Sequence, residues 1–353
     1  MVVLAIGVVE RTGVKGNLIR RARAMNAGDA LEAAEFIKRY TPVPDRLAHR
    51  LPAVLERLIA EEILLGVVVE YIHDSDARPQ LAGIGISGFA SDRWSDGFLA
   101  SPAPHIDLII FDQASRDVQE PALLSYNEIA EANAGDGLTL LPLLWLQLTD
   151  DPADPEAHAL LRLGQQTFID SHRGYRLARI IKETWAERAF AFQGGGFREH
   201  CRIPKGTPLS FHPERTLERD HIIFTVTRQE IEANWPGTAA GLLFAHEPPR
   251  CGFTRAEQQI LVRATDGLTD ARIARDLGIT AAAVSMRWRS IYTRFLECAP
   301  PALRFEEASN GARGQEKRRH VIAFVSEHPE ELRPYARPAR RNAANGSNHA
   351  ARG

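Results

Sequence analysis

The run Phe253–Phe295, FTRAEQQILVRATDGLTDARIARDLGITAAAVSMRWRSIYTRF, leaves few folds open. Thr254 followed three residues later by Glu257 is a capping box, so a helix starts there. Ile260, Leu261 and Ala264 share a face at helical spacing. Gly267 supplies the positive φ that ends such a helix. Thr269 caps a second helix carrying Ile273, Ala274 and Leu277, and Gly278 breaks it. Thr280 caps a third, whose inward stripe is Val284, Trp288, Ile291 and Phe295.

That stripe leaves the other side of the third helix free. Ala282, Met286, Arg289 and Thr293 stand there, with Ser285, Ser290 and Arg287 flanking them. Small side chains at the helix start permit close approach to a surface, and arginines suit phosphates and guanine edges. Two helices about a Gly-containing turn, the second presenting small and basic groups, follow helix-turn-helix logic. Periodicity alone leaves a protein-contact module equally open.

With these residues in place, the stretch resembles the DNA-binding domain of LuxR-type (GerE-like) transcription regulators. The resemblance is carried by Phe253-Thr254-x-x-Glu257, Gly267-Leu268-Thr269-Asp270, Ile273-Ala274-x-x-Leu277-Gly278-Ile279-Thr280, Val284, Ile291-Tyr292 and Arg294-Phe295. The family often has Thr-Val-Lys at the start of its recognition helix, where this chain has Ala283-Val284-Ser285. The resemblance implies binding to double-stranded DNA without bond chemistry. Arg289, Met286, Ser285 and Ala282 would face base edges, and Thr280, Arg287, Thr293 and Arg294 would hold phosphates. It further implies a homodimer on two half-sites, with RNA polymerase as a further possible partner. A small-molecule effector is left unidentified.

Charge divides the chain in the same sense. The formal net charge of the 353 residues is -2. Residues 254–353 hold 17 Lys and Arg against 11 Asp and Glu, a balance of +6, which leaves -8 for the rest. A basic C-terminal part behind an acidic N-terminal part suits a DNA reader joined to a regulatory domain. The length suits two domains. The expected layout is an α/β domain over 1–231, a connector over 232–252, the helix-turn-helix with an extra helix over 253–330, and a disordered basic tail over 331–353. The fold class is then α+β, a mixed sheet with helices, followed by an all-α module.

The N-terminal part alternates strand-like and helix-like stretches. Strands are expected at 1–10, 66–72, 81–89, 106–111, 138–148 and 221–226. Helices are expected at 17–40, 45–64, 121–134, 156–168 and 175–192. Pro142 argues for an edge strand or a bulge. Leu81–Gly88 lacks the Gly-x-Gly-x-x-Gly loop or the Gly-Lys-Ser/Thr ending of a nucleotide site, so Gly83 and Gly85 read as close packing inside a strand. Ala186–Arg198 (AERAFAFQGGGFR) resembles the last helix and Gly-Phe turn of GNAT-type N-acyltransferases. That family binds acetyl-CoA pyrophosphate at a Gln/Arg-x-x-Gly-x-Gly/Ala loop. The nearest counterpart, Arg173-Gly174-Tyr175-Arg176, lacks the second glycine. The resemblance implies a degenerate acyltransferase-like fold serving as a sensor or dimerisation platform.

Catalytic signals are sparse. His73, His105, His172 and His200 are scattered, with no His-x-x-x-His, Cys-x-x-Cys or Gly-x-Ser-x-Gly. Asp107 and Asp112 read as strand-end aspartates without the acidic pair of a phosphorylated receiver. Cys201, Cys251 and Cys298 are odd in number and irregular in spacing, which argues against a disulfide framework or a zinc site and for a cytoplasmic setting. No stretch has the roughly 20 apolar residues of a membrane span. A chain without catalytic residues, cofactor or metal is therefore expected, not an enzyme. Its rivals are an acyltransferase-like enzyme with a DNA-binding tail and a protein-contact module. Glu316–Glu327 is expected to form a basic amphipathic helix, with Lys317, Arg318 and Arg319 on its polar side.

Overall fold

The computed structural model describes residues 9–11, 18–73, 79–116, 118–233, 237–300 and 313–336. The chain begins with strands β1 (Val9–Arg11) and β2 (Leu18–Ala24), then helices α1 (Ala30–Tyr40), α2 (Asp45–Ala48) and α3 (Leu51–Ala60). The hairpin β3 (Leu64–His73) and β4 (Gln80–Ala90) leads to α4 (Asp92–Ala100), α5 (Ile106–Ala114) and α6 (Tyr126–Ala134). Next come β5 (Leu138–Gln147), α7 (Pro155–His172), β6 (Leu177–Trp185) and α8 (Ala189–Gly194). The strands β7 (Arg198–Ile203), β8 (Pro208–Leu209), β9 (His212–Thr216) and β10 (His221–Thr227) complete the β-rich part. Six helices follow: α9 (Arg228–Ala233), α10 (Gly241–Phe244), α11 (Arg255–Thr265), α12 (Asp270–Asp276), α13 (Ala281–Cys298) and α14 (Arg313–Glu327).

One mixed sheet of eight strands runs in the order β1-β2-β3-β4-β5-β6-β10-β7. Every pair is antiparallel except β5 and β6, which α7 joins as a parallel crossover. The parallel register covers only Leu138 to Leu140 against Leu177 to Ile180. Further on, Lys182 Nζ donates to the carbonyls of Pro142 (3.0 Å) and Leu143 (3.5 Å). The main core gathers side chains of α1, α3 and α5 on one face of the sheet, among them Ile37, Leu55 and Phe111. Across the sheet, Leu160 and Leu163 of α7 meet Ala22, Val69 and Ala82. Gly85 and Gly164 make room there for the Trp145 indole. A Cβ on Gly85 would lie 3.0 Å from its ring, which is close packing inside a strand as expected.

The structure corrects several expectations. Residues 18–24 form a strand, not the start of a helix. Arg21 and Arg23 both reach Glu70 across the β2–β3 ladder (2.6 and 2.7 Å), a pairing that no local pattern encodes. Residues 106–114 form a buried helix where a strand was expected, because a short apolar run satisfies either period. Asp107 and Asp112 are therefore not strand-end aspartates. Residues 177–185 form β6, wedged between β5 and β10, where a long helix was expected. Pro142 lies in a central strand at an irregularity opposite Ser87, so the bulge reading holds and the edge reading does not. The expected strand over 1–10 lies mostly outside the described residues.

The helices after residue 250 have their own core. Ile260, Leu261, Ile273, Val284, Trp288, Ile291 and Phe295 gather with Val321, Phe324 and Val325 of α14. Cys251 and Cys298 are joined in a disulfide, their Cα atoms 5.0 Å apart. Their spacing had argued against any disulfide, but the fold returns the end of α13 to the chain just before α11. The expectation of a disordered tail from 331 is likewise corrected as far as Ala336. Glu331 is wholly buried and accepts the backbone N–H groups of Arg250, Cys251 and Gly252. Arg333 donates to the carbonyls of Asp170 and Arg173 at the C-terminal end of α7, where the helix dipole favours a cation. Residues 337–353 lie outside the described residues.

Candidate nucleic-acid interface

The two glycine breaks and three threonine caps after residue 253 are local chemistry, and the structure realises each one. Thr254 and Glu257 form the reciprocal capping box of α11. The Thr269 side chain accepts from Arg272 N, and that of Thr280 from Ala283 N. Gly267 and Gly278 take φ of +78° and +63°, where other residues are strained. A Thr cap contributes about 1 kcal/mol, so the entry points of α12 and α13 are held independently of the core.

Val284, Trp288, Ile291 and Phe295 are buried, which fixes the rotation of α13. Thr280, Ala282, Ser285, Met286, Arg289 and Thr293 are left exposed, and Met286 is 64% exposed despite being apolar. Arg287 is half-buried at the edge of this face. Among the described residues, neither Arg287 nor Arg289 has an ion-pair partner. The Thr293 hydroxyl turns back to the Arg289 carbonyl (3.1 Å).

Two basic residues are committed inside the protein instead. Arg294 pairs with Glu257 (3.1 Å) while its side chain stays 35% exposed, so this guanidinium ties α13 to α11. Ser290 donates to the same carboxylate at 2.5 Å. Burial pushes the Glu257 carboxyl up, and hydrogen bonds from Ser290 and Thr254 with the Arg294 charge more than reverse this, so its pKa lies below the ordinary value. Arg318 of α14 lies over the Trp288 ring, 4.8 Å from its centroid, and pairs with Asp270 at 2.6 Å. Trp288 Nε1 donates to that same Asp270 carboxylate. Arg318 thus supports the tryptophan that orients α13.

In the sheet domain, two constellations escaped the sequence reading. Glu183 accepts the backbone N–H of His105 and of Ile106 (both 2.8 Å) and Nδ1 of His221 (2.5 Å). Burial raises its pKa, and the His221 hydrogen bond and nearby imidazoles bring it below the ordinary carboxylate value. The carboxylate caps the N-terminus of α5, where a negative charge is favoured. Reading 175–192 as a helix hid it. The second constellation is Ser87 and His172, 2.7 Å apart and both buried. His172 Nδ1 sits 2.7 Å from the Phe168 carbonyl and so carries the proton, which makes Nε2 the acceptor for the Ser87 hydroxyl. Burial lowers the His172 pKa to about 4. With both groups shut away from solvent, this pair serves packing.

Arg173–Arg176, the nearest counterpart of an acyl-CoA pyrophosphate loop, does not fit that group. It follows the C-terminal end of α7, which presents carbonyls rather than amides. Its Gly174 packs against the backbone of Pro329 and Glu330. The opposite end of α7, where amides do point outward, carries Asp150, Asp151, Asp154 and Glu156.

No protein-family model matches the chain, and no curated protein matches its sequence. Among solved structures it is similar to N-acetyltransferases. These include Arabidopsis thaliana NAA60 in complex with acetyl-CoA, at 12% identity and a TM-score of 0.34, over 60% of this chain and 99% of that one. Another is the Vibrio cholerae spermidine/spermine N-acetyltransferase SpeG, at 12% identity and a TM-score of 0.31, over 61% of this chain and 95% of that one. The chain is also similar to an uncharacterized protein from Bacillus halodurans, at 11% identity and a TM-score of 0.30, over 66% of this chain and 95% of that one. At such TM-scores the likeness carries no argument about substrate or mechanism. The expectation that the chain is not an enzyme is corrected to this extent: NAA60 and SpeG are acetyltransferases, and that exclusion is withdrawn. No helix among the described residues is long and apolar enough to cross a membrane.

Proposed function

We propose that the chain is a sequence-specific DNA-binding regulator of the LuxR type, with α11 to α13 as its helix-turn-helix and the sheet domain as its sensor or dimerisation platform. The observation that carries this reading is the rotation of α13. Its aliphatic and tryptophan stripe is buried, while Ala282, Ser285, Met286 and Arg289 lie uncovered along one side. In this reading α13 enters the major groove with those four side chains at base edges, and Thr280 and Arg287 stand at the phosphates. A homodimer on two half-sites supplies the surface that one module lacks.

The test is selection of duplexes from a random pool by the full chain, followed by fluorescence anisotropy at several salt concentrations. A selected site bound with a steep inverse salt dependence supports the reading. Arg289→Ala is expected to weaken that complex by about 1–3 kcal/mol and to relax preference at one base pair. Unaltered affinity and sequence preference in this variant would remove Arg289 from the interface. Absence of any selected duplex would sink the regulator reading.

A second reading, an acyltransferase-like enzyme carried on a DNA-binding module, draws support from the parallel β5–β6 pair, whose ladder ends at Leu140 and Ile180. Calorimetric titration with acetyl-CoA separates the two: saturable heat favours the enzyme reading, and its absence leaves the regulator.

A further inference from the structure

We propose that the cavity between α3, α5 and the start of α6 binds a small amphipathic effector, and that the turn ending α3 passes its occupancy to α11. The effector class is an apolar body bearing an N–H or O–H donor and an anionic head. The cavity measures about 470 Å³, within the range of small-molecule sites. Leu58, Ile63, Ile110 and Leu123 supply its apolar walls. Gln113 also lines it, and its Oε1 is a buried oxygen without a hydrogen-bond partner. Buried side-chain oxygens are nearly always satisfied, so a donor on an effector that reaches this one completes a group the chain leaves unpaired. Arg57, paired with Glu61 at 3.5 Å, and Arg116, paired with Asp112, line the opening with Glu128, and the guanidinium edges that each leaves about half exposed are the groups an anionic head would meet.

Two pairs of adjacent residues connect this cavity to the helical module. The first pair is Ile63 and Glu62. Ile63 faces the cavity, with its N–H bonded to the Leu58 carbonyl (2.9 Å). Glu62 occupies the left-handed region at φ 61°, a helix-ending position that ordinarily takes glycine. Its carboxylate accepts from Gln259 Nε2 at 2.6 Å and pairs with Arg255 at 3.4 Å, both on α11. A strained backbone at a residue that bridges two modules is a place where small shifts are transmitted. The second pair is Ser125 and Tyr126. Ser125 lines the cavity and caps α6. Tyr126 donates to Gln258 Oε1 at 3.2 Å and carries the Arg255 guanidinium over its ring at 4.1 Å. In each pair one residue meets the effector and its chain neighbour holds α11. Filling the cavity therefore moves both anchors of α11 together. The step from α11 to DNA rests on the regulator reading, whereas binding and the response of α11 are measured without DNA.

The experiment titrates the full chain with 1-anilinonaphthalene-8-sulfonate, whose naphthalene, amine and sulfonate match the three features of the site. Fluorescence reports binding, and amide hydrogen exchange over Arg255–Thr265 reports the response. The expected result is one saturable site and a change in α11 exchange at saturation. Ala114→Trp, which fills the cavity, weakens binding more than tenfold, and Gln113→Leu weakens it several-fold. Glu62→Gly keeps the affinity and removes the exchange response. Should Ala114→Trp fail to fold, Gln113→Leu carries the test, since it preserves the volume. Unsaturable binding, affinity unchanged by Gln113→Leu, or α11 exchange unaltered at saturation each overturns the proposal.

Discussion

Replacing Glu257 by alanine should loosen α13 without touching its outer face. The residue is 3% exposed, and its side chain serves two roles at once. It closes the capping box of α11 by accepting Thr254 N at 2.7 Å, and it holds α13 through Ser290 at 2.5 Å and Arg294 at 3.1 Å. The lost cap is worth about 1 kcal/mol. The lost hydrogen bond from Ser290 to a buried charge is worth about 1.5–3 kcal/mol. The Arg294 side chain is 35% exposed, so water takes over much of its lost partner and that contribution is small. The expected cost is about 3 kcal/mol, at the low end for a one-sided break of a buried pair. Native-state hydrogen exchange on α13 measures it as a fall in opening free energy, and Glu257→Gln, which keeps one acceptor, should lose about half as much. An alanine variant within about 0.5 kcal/mol of the parent would refute the account. Because the folded pKa of Glu257 is depressed, its contribution is present above the ordinary carboxylate range and is lost as pH falls below it. The α11–α13 contact should therefore weaken on acidification below about pH 4, and less so in Glu257→Gln.

Other outcomes follow from the same geometry. With His172 at about 4 when folded and about 6.5 when unfolded, the sheet domain should lose roughly 3 kcal/mol between pH 6.5 and 4, while His172→Gln stays flat across that window. Urea midpoints at several pH values test this, and a flat parent profile contradicts it. Cys251→Ser should lower the stability of the helical module by about 2–4 kcal/mol under oxidising conditions, since the disulfide closes a loop with a sequence separation of 47. Equal midpoints for variant and parent, each with and without reductant, would deny the bond a role. Arg287→Ala should reduce the salt slope of DNA binding by about 1, whereas Arg294→Ala should lower thermal stability and leave that slope alone. The reverse pattern would exchange their assigned roles.

How much was legible depended on how far each decision reaches along the chain. The helices at 255–265, 270–276 and 281–298 could be read from residues within four positions of one another. A Thr cap, a glycine at positive φ and a stripe every third or fourth residue are local instructions. The outer face of α13 followed from them. Its long-range ties did not. Nothing local told that Arg294 would also bond Glu257, 37 residues earlier. Arg318 looked like a free basic residue until Trp288 and Asp270 claimed it.

In the sheet domain the sequence by itself determined that strands and helices would alternate, and it located β3, β4, β5 and β10 through their β-branched and apolar content. Only the tertiary structure decided that residues 18–24 and 177–185 are strands and that 106–114 is a helix. The physical reason is the source of their stability. A strand's hydrogen bonds belong to its neighbours: β2 forms because β3 offers Glu70 to Arg21 and Arg23, and β6 because β5 and β10 flank it. Only folding brings those partners, or the halves of the disulfide and the two sides of the α3–α5–α6 cavity, within reach of one another.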